Sequence, residues 1–361
     1  MRKGDYCISL RSFQGGFELS EYEGVVSPAY QVFYPIKAIS QRYYKHLFKT
    51  QRFIDEMNSY TMSLRDGKNI AFADFGKSYI PVPPLSEQKR IGNYLDFKCS
   101  QIDRLSDNIK QQIEELGEYK KALITQAVTK GLDPDVEMKD SGIAWVGNMP
   151  KEWETVPAKS MFMQRNDKGN KYVLQLLSPT QKFGVIPQSL YEEKTGQNAV
   201  KLDEKTNLSA LKTVHKGDYC ISLRSFQGGF ELSDYEGVVS PAYQVFYPIK
   251  AVGQRYYKYL FKTQRFINEM NSYTMSLRDG KNIAFADFGK SYIPVPPLSE
   301  QKRIGNYLDL KCSQIDALIQ TKSKTLNVLQ EYKKSLILDY VTNVIKLSFR
   351  SFLLLFLVYV K

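Results

Sequence analysis

The sequence contains little of what catalytic and metal sites are usually built from. Its 361 residues include two histidines and four cysteines, and no two cysteines stand in a CxxC spacing. His46 is replaced by Tyr259 at the equivalent position of an internal repeat, so a histidine general base is not expected. No metal site of usual spacing can be drawn. The four cysteines are two positions that the repeat copies once: Cys7 and Cys99, with Cys220 and Cys312.

Motifs for nucleotide binding, acyl transfer and methyl transfer are also absent. The chain has no P-loop, no GxSxG, no HExxH, and no GxGxxG that opens a helix after a strand. It lacks the Asn- or Asp-Pro-Pro-aromatic tetrapeptide that an adenine methyltransferase is expected to show. We therefore expect a non-catalytic binding protein that holds no metal and no cofactor of its own.

Long apolar runs are scarce as well. The single candidate is FLLLFLVYV at residues 352–360, and nine residues are too few to span a bilayer. No signal peptide is recognisable, so the expected compartment is the cytoplasm.

Positive charge is plentiful. There are 50 Lys and Arg against 38 Asp and Glu, which gives a net charge of +12 and a pI near 9.2. Such a balance favours a polyanionic partner, nucleic acid first and an acidic membrane surface second. A basic protein without such a partner remains the alternative on charge alone.

The chain repeats itself over a long period. Residues 3–103 align with 216–316 without a gap, and six of the 101 pairs differ. The motif EYKK then recurs in the same register, whereas residues from about 132 to 213 occur once. This period indicates a duplicated domain and not a solenoid. The second module is expected to begin near Trp145, and no equivalent of its first half precedes the first copy.

Each repeat has the pattern of a small α/β module that leads into a long helix. GDYCISLRS and GVVSPAYQVFYP predict strands, the segment 41–60 predicts one amphipathic helix, and SLRDGKNIAFADFGKSYIPVPP predicts a turn and a strand. The prolines of IPVPP exclude a helix there. Ser86 is the predicted N-cap of a helix over 86–129, which would be about 65 Å long at 1.5 Å per residue.

Apolar residues recur every seven positions in this helix and in its copy, which indicates a partner helix. The economical hypothesis is that the two helices pack on each other, and the alternative is that each packs on its own module. Leu105, Ile113 and Tyr119 widen the stripe, as do Leu318, Ile319, Leu326 and Tyr332 in the copy, where Lys322 breaks the spacing. The predicted pairing residues are Leu95, Ile102, Ile109, Leu116, Leu123, Leu308, Ile315, Leu329 and Leu336.

Polar and basic side chains cluster in Gly-rich turns. Arginine can contact guanine with two hydrogen bonds, Asn and Gln can contact adenine, and lysine positions phosphates. Exposed turns are commonly polar and basic without binding DNA, so the set carries more weight than any member. The candidate DNA-binding residues are Arg11, Ser12, Gln14, Arg65, Lys68, Asn69, Arg165, Asn166, Lys168, Lys171, Gln181, Lys182, Arg224, Ser225, Gln227, Arg278, Lys281 and Asn282.

Taken together, the motifs resemble those of the specificity subunits of type I restriction–modification systems. PLSEQKRIGNYLD before a long helix that ends in VTKG resembles a conserved region of that family. The segment LDPDVEMKDSGIAWVGNMPKEWE is similar to the opening of its target recognition domains. The resemblance covers nearly the whole chain apart from about the last fifteen residues.

The resemblance implies an α+β fold in which duplicated α/β DNA-recognition modules are separated by two long helices that form an antiparallel coiled coil. It implies double-stranded DNA as a partner, two modification subunits that carry S-adenosylmethionine chemistry, restriction subunits in the full complex, and no membrane. The implied segments are the distal half of a first recognition domain at 1–80, spacer helices at 81–131 and 299–343, a second recognition domain at 132–298, and an atypical apolar tail at 344–361.

The chain departs from the family pattern in its first module, whose proximal half is missing. We therefore expect either a partial or silent copy that exchanges segments by recombination, or a subunit that works with a supplied half. Two rival hypotheses stay open. One is a coiled-coil structural or adaptor protein with non-specific DNA affinity, and the other is a recognition fragment of a single-chain restriction–modification enzyme.

Overall fold

The chain divides into two compact units. A computed structural model describes residues 1–8, 17–28, 30–60, 72–169, 175–197, 210–221, 229–273, 283–342 and 359–360. The first unit comprises residues 1–114 and 319–361, and the second comprises residues 115–318. This division cuts both long helices, whereas the five predicted segments follow the repeat, so their boundaries stay a prediction.

The helices and strands follow the order of the repeat. The first copy forms β1 (Tyr6–Ile8), β2 (Glu18–Leu19), β3 (Gln31–Tyr34), α1 (Gln41–Leu47), α2 (Gln51–Ser59), α3 (Phe72–Phe75) and the long helix α4 (Leu85–Lys130). The single-copy segment forms β4 (Met138–Asp140), β5 (Asn148–Pro150), β6 (Glu154–Pro157), a 3-10 turn (Ala158–Ser160), β7 (Phe162–Arg165), β8 (Leu177–Thr180), β9 (Gly184–Pro187), α5 (Gln188–Thr195) and β10 (Lys212–Val214). The second copy forms β11 (Tyr219–Ile221), β12 (Phe230–Leu232), β13 (Gly237–Val239), β14 (Gln244–Pro248), α6 (Gln254–Leu260), α7 (Gln264–Ser272), α8 (Phe285–Lys290), β15 (Tyr292–Val295) and the long helix α9 (Leu298–Thr342), which β16 (Tyr359–Val360) follows.

The first unit contains an antiparallel sheet in the order β16-β3-β1-β2. Aromatic side chains of the sheet and of the short helices interlock beneath it, with the Phe17 ring 4.9 Å from that of Phe75 and 5.2 Å from that of Phe33. The start of α4 closes this core with Ile91, Leu95 and Ile102. The strand predicted at GDYCISLRS is thus confirmed as β1.

The second unit contains the equivalent sheet in the order β12-β11-β14-β7, in which β7 comes from the single-copy segment, and other strands of that segment form separate two-stranded sheets. β10 pairs with β13, β15 pairs with β6, and β8 pairs with β9, all antiparallel. The Phe162 ring of β7 enters the centre of the aromatic core, where Trp153 is also fully buried. The larger core therefore depends on residues that have no copy elsewhere in the chain.

Two local predictions were wrong. The segment 41–60 is two helices and not one, because the chain turns after Leu47 and the Thr50 hydroxyl then accepts a hydrogen bond from Phe53 N at 3.3 Å. Thr263 does the same before α7. FADF, predicted as part of a turn and strand, forms the short helices α3 and α8.

The two long helices are antiparallel within each unit. In the first unit, the Lys333 ammonium lies 2.6 Å from the Asp103 carboxylate, and Lys322 donates to the Gln112 side chain at 2.6 Å. Residue numbers therefore rise along α4 as they fall along α9. In the second unit, Lys120 of α4 lies 2.6 Å from Asp316 of α9.

These contacts are reciprocal. Lys120 and Asp316 are the repeat equivalents of Lys333 and Asp103, so each unit contains the same ion pair with the roles of the helices exchanged. A second contact behaves in the same way. In the first unit the Tyr43 hydroxyl donates to Val341 O at 3.0 Å, and in the second unit the Tyr256 hydroxyl donates to Val128 O at 2.8 Å. This reciprocity is the property of a self-complementary interface. The fold class expected from the resemblance is confirmed.

The predicted helix stripe includes residues that lie outside the buried seam. Leu95, Ile102 and Ile109 are buried, but Leu105 and Tyr119 are exposed, as are their copies Leu318 and Tyr332. The buried positions between the heptad residues are Cys99, Ser106 and Cys312. Spacings of four and three residues therefore give the seam, and Leu105, Tyr119, Leu318 and Tyr332 lie outside it.

The start of α4 also differs from the prediction. Ser86 lies inside the helix, which begins at Leu85, and the backbone N–H groups of Glu87 and Gln88 donate to Pro84 O at 2.9 and 3.0 Å. At the other end, Gly131 adopts a φ of 77°, a left-handed conformation that suits glycine and stops the helix.

Candidate nucleic-acid interface

In each unit, residues that flank two predicted recognition turns meet at one end of the sheet. In the first unit, Ile8 ends β1 just before residues 9–16 and pairs with Gln31. The Gln31 side chain accepts a hydrogen bond at 2.6 Å from the backbone N–H of Phe72, which follows residues 61–71. Gln31 thus contacts both Ile8, which precedes LRSFQGG, and Phe72, which follows LRDGKN.

The second unit repeats this arrangement. Gln244 pairs with Ile221 and accepts from Phe285 N at 2.6 Å, and its side-chain amide donates to Ile283 O at 3.1 Å. Gln31 and Gln244 are functional candidates that the sequence reasoning missed. A glutamine within an otherwise apolar strand was the available signal, since a polar group in that position has to find partners.

Most of the candidate DNA-binding residues lie outside the described residues. They belong to the two repeated turns and to the segment after Gly169, and their assignment stays a prediction. These residues are Arg11, Ser12, Gln14, Arg65, Lys68, Asn69, Lys171, Arg224, Ser225, Gln227, Arg278, Lys281 and Asn282.

Arg165 is held by carboxylates at the end of β7. Its Nε and Nη2 atoms donate to the two oxygens of the buried Asp218 at 2.6 and 3.0 Å, and Nη1 donates to Asp167 at 2.9 Å. The guanidinium also stacks on the Tyr247 ring, 4.3 Å from its centroid. Among the described residues, two of its five N–H groups have no acceptor. The geometry gives Arg165 a structural task, and its predicted role as a DNA contact stays a prediction.

The remaining described candidates lie on the surface of the second unit. Asn166 and Lys168 are exposed just beyond β7. The backbone of Lys168 forms an isolated antiparallel β-bridge with that of Lys212. Gln181 and Lys182 lie in the turn between β8 and β9, where the Lys182 ammonium is 5.1 Å from the centroid of the Phe183 ring. These side chains are available to a phosphate backbone, and their role stays a prediction.

A buried carboxylate distinguishes the second unit from the first. The Glu231 side chain is 2% exposed, with Oε2 at 2.6 Å from the Lys262 ammonium. Its copy Glu18 is 60% exposed and lies 2.8 Å from Lys49. Burial raises the pKa of the Glu231 carboxyl to about 7, although Lys262 acts in the opposite direction.

This raised pKa predicts a pH-dependent stability. The folded state binds the Glu231 proton more tightly than the unfolded state, so the associated stabilisation is complete below about pH 4.5 and is lost as the pH rises through about 7. We expect E231Q to remove this fall, on the order of 3 kcal/mol, from the unfolding free energy of the second unit. Urea unfolding followed by tryptophan fluorescence measures that unit alone, because Trp145 and Trp153 both lie in it. The matched variant E18Q should leave the pH profile as it is, and an equal effect of both variants would contradict the prediction.

In the described part of the chain, the residues that could ligate a metal are scattered, and His46 contacts a carboxylate. Among those residues no group of three His, Cys, Asp or Glu side chains could hold a metal ion. The imidazole of His46 lies 2.8 Å from Asp96, and the Tyr259 hydroxyl of the copy donates to Asp309 at 2.7 Å. The histidine thus joins a short helix to a long one, as its tyrosine copy does. Among the described residues, the helices contain no candidate membrane-spanning segment.

Known proteins share both the sequence pattern and the fold of this chain. The model of the type I restriction modification DNA specificity domain matches residues 1–116 and 150–331, which is well over half of the chain. The chain belongs to this family. Its fold is similar to that of a chain from a solved type I R-M system, with a TM-score of 0.68, 16% identity, and coverage of 94% of this chain and 82% of that one. The HsdS subunit from Thermoanaerobacter tengcongensis gives a TM-score of 0.53 at 16% identity, with 94% and 81% coverage.

Curated relatives of this family member come from archaea and bacteria. The putative type I restriction enzyme MjaX specificity subunit of Methanocaldococcus jannaschii is 26% identical over 74% of this chain and 60% of its own length. The MjaVIII specificity subunit of the same organism is 27% identical over 81% and 69%. The EcoKI specificity subunit of Escherichia coli is 23% identical over 81% and 62%. The chain thus spans about three fifths to two thirds of the length of these relatives.

Proposed function

We propose that the chain is the DNA-binding specificity subunit of a type I restriction–modification complex, in which each unit reads one half of a split double-stranded target. The observation that carries this proposal is the duplicated module on two antiparallel helices, with contacts that recur reciprocally in the two units. Two recognition modules joined by helices suit a target made of two half-sites, since each module contacts its own stretch of DNA. A methylome comparison of segment-swapped chains, detailed in the Discussion, tests this role.

The recognition turns at one end of each sheet are the proposed DNA contacts. Gln31 and Gln244 contact the described residues next to these turns, and the net charge of +12 favours the phosphate backbone. Both turns have identical sequences in the two repeats. Any difference between the two half-sites must therefore come from other residues, and for the second unit we assign it to residues 151–213.

Catalysis is assigned to partner subunits. In this proposal the modification subunits supply S-adenosylmethionine-dependent adenine methylation, the restriction subunits supply cleavage, and the chain, acting in the cytoplasm, supplies the choice of sequence. The absence of catalytic motifs from its sequence accords with such a division of labour.

Exposed apolar side chains on the long helices are the proposed contacts for the modification subunits. The first unit exposes Leu105 and Tyr332, and the second exposes their copies Leu318 and Tyr119. Large apolar side chains outside the helix seam are available for a protein partner. Because the set occurs once in each unit, we propose that two modification subunits bind.

Negative charge on the apolar set of one unit should prevent one modification subunit from binding. We expect L105D/Y332D to lower the number of bound modification subunits from two to one per chain, since carboxylates cannot enter an apolar interface without a large desolvation cost. Native mass spectrometry of the co-expressed complex gives this number. Q330D is the control, at an exposed position of α9, the helix that carries Tyr332. It should retain two bound modification subunits. An unchanged number for L105D/Y332D would contradict the proposed contact.

A further inference from the structure

A short turn joins two strands of the single-copy segment in the second unit. β8 pairs with β9 up to Thr180 and Gly184, and residues 180–184 form the 180–184 turn between the two strands. The Thr180 hydroxyl donates to Gly184 O at 3.0 Å and accepts from Phe183 N at 3.0 Å. Gly184 adopts a φ of 74°, a left-handed conformation that suits glycine. The turn is therefore closed by its own hydrogen bonds.

Neighbouring elements of the second unit also hold this turn. The Lys262 ammonium, in the link between α6 and α7, donates to Gln181 O at 3.1 Å. A Cβ atom added to Gly184 would lie 3.1 Å from Leu232 O, so the turn lies against the end of β12. The backbone of the turn is thus fixed at both ends.

A buried ion pair places the Lys262 ammonium. Its nitrogen lies 2.6 Å from Oε2 of Glu231, whose side chain is 2% exposed. Taking a carboxylate and an ammonium out of water is costly, and apolar side chains of similar volume often stabilise such a place at least as well. Stability alone therefore gives no reason for the pair. Its geometry, in contrast, directs a lysine donor at the 180–184 turn.

This contact does not depend on the side chains of the turn. Lys262 donates to a backbone oxygen, which every residue type provides. Lys262 and Glu231 belong to the repeated part of the chain, whereas Gln181 belongs to the single-copy segment. The repeated part thus supplies a support that would offer the same donor to a turn of different sequence.

The 180–184 turn presents side chains suited to DNA. Gln181 and Lys182 are exposed, and the half-buried Phe183 ring has the ammonium groups of Lys182 and Lys194 at 5.1 and 5.8 Å from its centroid. A glutamine amide can contact adenine, a lysine can contact phosphate, and an aromatic ring can contact the thymine methyl group. α5 also exposes two acidic residues, so these side-chain types and their fixed backbone distinguish the turn, and net charge does not.

We propose that Lys262 is a positioning residue for DNA recognition by the second unit. It holds the 180–184 turn in place, so that Gln181, Lys182 and Phe183 contact adjacent base pairs and phosphates of one half-site. A turn that is already fixed loses little conformational freedom on binding, which strengthens its contacts. The inference rests on the proposed function and deepens it, since it names an element that reads one half-site and the residue that orients this element.

Hydrogen exchange of the full chain tests the positioning without DNA. K262M/E231Q removes the lysine donor and the buried carboxylate together, so that neither charge is left unpaired. We expect the amides of residues 181–184 to exchange several-fold faster in this variant, while those of β7 keep their rates. If the variant does not fold, K262Q/E231Q keeps two polar side chains at this place, and its shorter glutamine should no longer reach Gln181 O.

Selection from random-sequence duplexes at one fixed salt concentration tests the DNA contact. The full chain is used in complex with a type I modification subunit, and the unchanged chain should enrich a two-part motif. K262M/E231Q should lose about ten-fold of its preference at adjacent positions of one half-site, while the other half-site and the gap stay the same. The matched control K49M/E18Q removes the equivalent ion pair of the first unit, in which Lys49 lies 2.8 Å from Glu18. It should leave the preference at those positions unchanged.

Several results would overturn the proposal. Unchanged exchange at residues 181–184 in K262M/E231Q would show that Lys262 does not position the turn. Faster exchange with the same enriched bases, or weaker binding to all sequences alike, would show that the turn does not discriminate between bases. An equal loss of preference in K49M/E18Q would show that the effect does not come from this turn. An unchanged chain that enriches no motif would refute the proposed function as well, and this result alone involves no variant.

Discussion

Replacing Phe162 with alanine is expected to lower the unfolding free energy of the second unit by about 3–5 kcal/mol. The side chain is fully buried, and its ring centroid lies 5.2–5.8 Å from those of five other aromatic residues. The cavity that alanine leaves is lined by rigid rings, which cannot collapse to fill it. Urea unfolding followed by tryptophan fluorescence measures the loss in this unit.

The control for this variant lies on the same segment. Asn166 is exposed just beyond β7, and N166A should change the unfolding free energy by no more than about 0.5 kcal/mol. A loss below about 1 kcal/mol for F162A would show that the single-copy segment is not an integral part of the second core.

Replacing Arg165 with alanine is expected to cost about 3 kcal/mol of stability in the same unit. The substitution leaves the Asp218 carboxylate buried, with the His215 backbone N–H at 2.8 Å as its remaining partner among those described. Removing one member of a buried ion pair is strongly destabilising because the other charge stays desolvated. Neutralising that charge in R165A/D218N should restore about half of the loss, which a double-mutant cycle measures.

The first unit supplies the matched control. Asp5 is the copy of Asp218 without the arginine, so D5N should change stability by no more than about 0.5 kcal/mol. If R165A instead left the urea midpoint unchanged and weakened DNA binding alone, Arg165 would be a DNA contact. Its ion pairs would then make no contribution to the stability of the second unit.

The sequence predicted the large features of the fold because each has a strong local or repeated signal. The near-identical repeat indicated two modules, and the apolar heptads with PLSEQKRI indicated long paired helices. The break between Leu47 and Gln51 was missed, since the apolar period continues through it and only the Thr50 cap marks the second helix. Leu105 was predicted to widen the helix seam, whereas the structure buries Cys99 and Ser106 between the heptad residues, because hydrophobicity alone ranks leucine above both.

The candidate site was less predictable than the fold. Arg165 looked like a DNA contact because a basic residue in a polar turn is typical of one. Its carboxylate partner Asp218 lies 53 positions away, which no local pattern can show. The roles of Gln31 and Gln244 also arise from contacts about 40 positions apart. Long-range pairing of this kind appears when the sheet brings its strand ends together.

The central claim is that the chain selects the DNA sequence that its complex modifies. The direct test is co-expression with a type I modification subunit, followed by methylome sequencing of the host, for the chain and for a variant in which residues 151–213 come from another family member. The account predicts a methylated two-part motif that depends on the chain, and in the variant a change in one half-site while the other half-site and the gap stay the same. An unchanged motif in the variant, or a methylation pattern that does not depend on the chain, would contradict it.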